Sequence, residues 1–68
     1  MATYEELEIL LNEASHLLDR AAENVRDVGL DPEENVRKIG EAMVLVAEIR
    51  QQIYKQRPDL KPEYLDQK

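Results

Sequence analysis

"GLDPEE", residues 29–34, decides the fold. Gly29 is one of two glycines in 68 residues, and it follows a stretch from Tyr4 to Val28 that holds neither glycine nor proline. After such a stretch a glycine reads as the left-handed residue that ends a helix, with Leu30 folding back toward Val25. Asp31 then reads as the cap of a second helix, and Pro32 as its first residue, where a missing N–H costs nothing. Glu34 supplies the return arm of a capping box. So short a connector permits only a reversal, and the spacing predicts an antiparallel αα-hairpin.

The outer ends agree with the turn. Thr3 and Glu6 have the spacing of a capping box, and Glu5, Glu6 and Glu8 put negative charge at the positive end of the helix dipole. The second helix should run from Pro32 to about Arg57, where Pro58 stops it. Each helix is then about 25 residues and ~37 Å long. The expected fold class is all-α: a hairpin of helices at about 4–28 and 32–57, forming residues 1–57. A proline-containing tail, 58–68, has room for one short helical turn opening at Pro62 and Glu63.

Apolar spacing indicates which faces meet. In helix 1, Leu7, Ala14, Ala21 and Val28 fall on one line and Leu10 and Leu17 on the next, with Tyr4, Leu11, Leu18 and Val25 on the flank. A stripe this wide suits a helix packed in a bundle, and the line through Leu7, Leu10 and Leu17 is expected to face helix 2. Folding about the turn then sets Leu7 near Ile53, Leu17 near Met43 and Ala21 near Ile39. Charge supports the same pairing. Helix 1 has seven acidic and two basic residues, and helix 2 four acidic and five basic. The acidic start of helix 1 should therefore lie against Arg50, Lys55 and Arg57. Arg50 and Asn24 are polar residues on the packing stripes. Arg50 reads as a snorkelling arginine paired with Glu13 or Glu6, or the two residues fix register.

Composition narrows the function classes. The net charge is −6, from nine basic and fifteen acidic side chains. A phosphate-binding domain carries a clustered basic face, so nucleic acid is not an expected partner. No apolar run nears the ~20 residues of a membrane span, and the start lacks a secretory signal. With no cysteine there is no disulfide framework or thiolate metal site, and the expected location is cytoplasmic. A chain this small buries only ~60% of its unfolded surface and gains stability chiefly by association.

Catalytic chemistry finds little support. Glu13 and His16 form the E-x-x-H spacing that di-iron bundles use, but the motif requires inward projection. Both residues fall on the flank of helix 1, while Glu41 and Glu48 fall on the outer face of helix 2. A single histidine limits triad chemistry, and two glycines cannot build a phosphate loop. Tyr4, Tyr54 and Tyr64 read as packing residues rather than base-stacking platforms. No catalytic, cofactor-binding or metal site is expected.

"AMVLVA", residues 42–47, instead points to association. Met43 and Val46 serve the hairpin, whereas Val44 and Leu45 have no partner within one chain. Ile9, Leu11 and Leu18 broaden the apolar band of helix 1, and Leu60, Tyr64 and Leu65 give the tail apolar anchors. These eight residues are the expected interaction surface. Pairing two hairpins into a homodimeric four-helix bundle would cover them. The expected function is a non-enzymatic protein–protein interaction module that self-associates and docks a protein partner.

"TYEELEILL" (residues 3–11) and "LDPEENVRKIGEAM" (residues 30–43) also resemble the small subunit of exonuclease VII. That helical hairpin has an aromatic–Glu–Glu start and a later Glu–Glu run leading into a Gly/Ala–Met. The spacing here is longer, and the proline-bearing tail departs from the pattern. The resemblance implies an accessory subunit or chaperone of a larger protein.

Overall fold

The computed structural model describes residues 1–62. They form two 25-residue helices, α1 (Tyr4–Val28) and α2 (Pro32–Gln56), followed by one 3-10 turn at Pro58–Leu60. There is no strand among the described residues. The two helices pack antiparallel, and the layer they make is 15 Å thin in its shortest dimension.

Local chemistry sets the boundaries. The amide of Glu6 donates to Thr3 Oγ1 at 3.1 Å and so satisfies one of the free donors at the start of α1. Gly29 ends α1 with φ +70°, and its amide donates to Val25 O. The Leu30 amide reaches the same carbonyl at 3.2 Å, which completes the expected fold-back.

The start of α2 departs from expectation. Asp31 has φ +37° and makes no side-chain cap, so the predicted capping box with Glu34 does not form. A helix cap needs extended backbone to aim its carboxylate at the next amides, and a left-handed Asp31 cannot do so. Asn35 closes the turn instead, its Nδ2 donating to Leu30 O at 2.8 Å. Pro32 takes the first helical position as expected. At the far end Pro58 stops α2 and itself opens the 3-10 turn, closed by Leu60 N to Arg57 O at 3.0 Å. This turn lies at Pro58–Leu60, and the turn expected to open at Pro62 and Glu63 lies outside the described residues, which end at Pro62.

Burial is shallow throughout. Only Ala22, Ile53 and Tyr54 are buried among the described hydrophobics, and no described side chain is fully enclosed. The strip of α1 that α2 shields runs through Glu8, Leu11, Ser15, Leu18, Ala22 and Val25. On α2 the shielded strip runs through Val36, Ile39, Met43, Val46, Arg50 and Ile53. Both advance by alternating steps of three and four, the seam of a left-handed helix pair.

Candidate interaction face

The helical wheel gives α1 a second seam of the same period. Leu7, Leu10, Ala14 and Leu17, then Ala21, Asn24 and Val28, also advance by alternating threes and fours. This seam was expected to face α2, and the structure reverses the assignment. Leu10 and Leu17 are 61% and 60% exposed, while their neighbours Leu11 and Leu18 are half-buried against α2. Each residue of the open seam from Leu7 to Asn24 immediately precedes one of the covered seam, so a rotation of α1 by one residue's arc, about 100°, separates the two outcomes, and only the covered seam encloses Glu8.

Glu8 explains the choice. Arg50 Nε donates to Glu8 Oε1 at 2.7 Å and Nη2 to Glu8 Oε2 at 3.3 Å. The Tyr54 hydroxyl donates to the same carboxylate. Glu8 and Arg50 side chains are only 12% and 14% exposed, so the pair sits inside the seam rather than at its rim. Two-point contact to a guanidinium fixes orientation as well as charge. The Glu8 hydrogen bond raises the pKa of Arg50. Burial is the main cause that raises Tyr54, and its bond to Glu8 adds to it. Arg50 was expected to pair with Glu13 or Glu6. Glu8 wins because it lies on the covered seam, where Glu6 and Glu13 do not.

A second ionic contact ties the ends. Arg57 Nη2 lies 3.1 Å from Glu5 and 2.8 Å from Asp59, joining α1 to the 3-10 turn. The bond from Arg57 lowers the pKa of Asp59, and Asp59 ahead of Glu5 raises that of Arg57. These groups are exposed, so the contact adds little stability.

The open seam of α1 does not stand alone. Tyr4 and Leu7 share a surface cleft with Ile49, Gln52, Ile53 and Gln56. Ile49 therefore lies on the same side of the hairpin as the open seam, and Ala42 and Leu45 lie on its helical line, at steps of three and four. Leu45 is 61% exposed and Ile49 43%. One broad side of the hairpin thus carries apolar residues from both helices. From Leu7 to Val28 the open seam of α1 includes no charged residue, in a chain that is 35% charged.

The expected surface residues divide accordingly. Leu45 lies on this broad side. Leu11 and Leu18 are used within the chain. Ile9 and Val44 are exposed but point elsewhere: Ile9 lines a cleft with Glu8, Asn12, His16, Arg50 and Pro62 on the opposite side. Val44 sits about 100° around α2 from Leu45. Leu60 is half-buried at the end of the 3-10 turn. Tyr64 and Leu65 lie outside the described residues. Leu10 and Leu17, expected to face helix 2, are exposed instead, and Ile49 is exposed beside them.

Glu13 and His16 are both exposed on α1, and no three metal-capable side chains converge among the described residues. No described helix is long and apolar enough to cross a membrane. No family model, curated protein or solved structure matches the chain.

Proposed function

We propose that the protein is a non-enzymatic interaction module whose working form is a homodimer, two hairpins closing into a four-helix bundle that docks a protein partner. The observation that carries this reading is the single layer. A stable domain packs at least two layers around a core. Here one 15 Å layer buries three side chains among the described hydrophobics and fully encloses none. A second layer supplies what the chain lacks. Light scattering during size exclusion at micromolar concentration tests the reading: about twice the 7.9 kDa chain mass is expected, and the chain mass alone would end it.

An accessory subunit or chaperone of a larger protein is a second reading. The same open side favours it, since helices of another chain can cover apolar seams as well as a copy can. A stoichiometric larger partner on purification from the source cells supports it, and a pure self-dimer counts against it.

A further inference from the structure

We infer that the broad side bearing Leu10, Leu17, Leu45 and Ile49 is the surface on which a second copy of this chain sits, and that the Ile9 and Val44 side stays open. The inference rests on the self-association reading above and adds which surface is covered. Area is the first argument. The chain exposes 5520 Å², whereas a compact folded chain of its mass exposes about 4,400 Å². The surplus, about 1,100 Å² over the whole chain, is room for the ~800 Å² that each partner contributes to a standard interface, and the residue pattern assigns the side.

Self-complementarity is the second argument, and it favours a copy over an unrelated chain. Glu8 lies level with Arg50 and Glu5 with Arg57, so Leu10, Ala14 and Leu17 lie nearly level with Ile49, Leu45 and Ala42. A two-fold axis along the helices then sets Ala14 against Leu45 of the second copy and Leu17 against Ala42. With the copy inverted, Leu10 meets Ala21 and Ala14 meets Leu17. Apart from Leu10 against Ile49 in the first arrangement, both place small residues against large ones, the condition for close interdigitation. A surface that complements itself is what an isologous interface requires.

The opposite side has no such pattern. Ile9 shares its cleft with Pro62 and with four polar residues, Glu8, Asn12, His16 and Arg50. Val44 has Gly40, Glu41, Ala47 and Glu48 as its neighbours three and four residues away, two of them charged and none larger than alanine among the rest.

Sedimentation equilibrium on four glutamate variants and two alanine variants tests the assignment, with circular dichroism confirming that each stays helical. Leu17→Glu and Leu45→Glu are expected to raise the dissociation constant about 100-fold or more, two copies of each charge being buried at once. Ile9→Glu and Val44→Glu should leave it within about threefold. Leu17→Ala and Leu45→Ala, which introduce no charge, should weaken association in the same order. The reverse pattern, or four variants that all remain dimeric, overturns the face assignment and leaves self-association standing. A wild-type chain that sediments as a monomer overturns both.

Discussion

Helix α1 contains two leucine doublets, Leu10–Leu11 and Leu17–Leu18, and each sends one side chain to each of two seams. The covered seam receives Leu11 and Leu18 and is shielded by α2; the open seam receives Leu10 and Leu17, which remain 61% and 60% exposed. Composition does not separate them. If anything the covered seam is the more polar, since it includes Glu8 and Ser15 while the open seam has only Asn24. What separates them is pairing. Glu8 finds Arg50 and Tyr54 across the hairpin, and a satisfied polar triad selects one rotation of the helix where apolar residues alone permit two.

The sharpest way to break this comparison is to remove Glu8. Glu8→Ala leaves Arg50 with little solvent and no charged partner, and should cost about 3 kcal/mol in thermal or denaturant unfolding. Replacing both residues, Glu8→Met with Arg50→Met, should recover most of that loss, because an apolar pair of similar length has no charge to desolvate. The double variant should also let α1 turn, and so blur the distinction between the two seams.

The doublet itself gives the next test. Leu18→Ala should lower the stability of the hairpin by about 2 kcal/mol, at the low end for a leucine that is only half-buried. Leu17→Ala, one residue away, should leave the stability of dilute protein within about 0.5 kcal/mol of wild type. Chemical denaturation at low concentration reads both, and equal losses would erase the comparison.

Gly40 offers a smaller effect of opposite sign. It lies in the middle of α2, and a Cβ added there meets no heavy atom within 4 Å. Gly40→Ala should raise stability by about 0.5–1 kcal/mol through helix propensity. Its helical line runs with Val44, away from the open side, so association should be unaffected. Weakened association in sedimentation would show that the wrong side has been assigned.

The smallest expected effect is on pH dependence. The pKa of Tyr54 in the folded chain is raised above its ordinary 10.0, so its contribution is complete below pH 10 and is lost as pH rises through the folded value. An ultraviolet titration should show a delayed tyrosinate component that Tyr54→Phe abolishes. A titration unchanged by that substitution would remove Tyr54 from the triad.

Much of the hairpin was legible in the sequence. Gly29, Pro32 and Pro58 act through backbone geometry alone, and helix lengths follow from them to within one residue. Asp31 was misread because a cap depends on the φ of its own residue, and the demand of a three-residue turn for a second left-handed position overrode the side-chain preference. The seams were misassigned for a different reason. Both have the same period, so hydrophobic spacing cannot order them. The deciding signal was a charge pair 42 residues apart, Glu8 with Arg50, whose partners are plain only once the register is known. Of the residues expected at the interaction surface, Leu45 survives on the broad side because it lies one turn from Ile49. Leu11 and Leu18 were lost to the hairpin by the same rotation that freed Leu10 and Leu17.

If a second layer completes this fold, thermal unfolding must depend on protein concentration. If folding and pairing are linked, mass action requires the unfolding midpoint to rise as the chain is concentrated. Over a hundredfold range in concentration, followed by circular dichroism, the midpoint should climb by several degrees. A midpoint that stays fixed across that range would mean that pairing adds nothing to the stability of the fold, and would contradict the account.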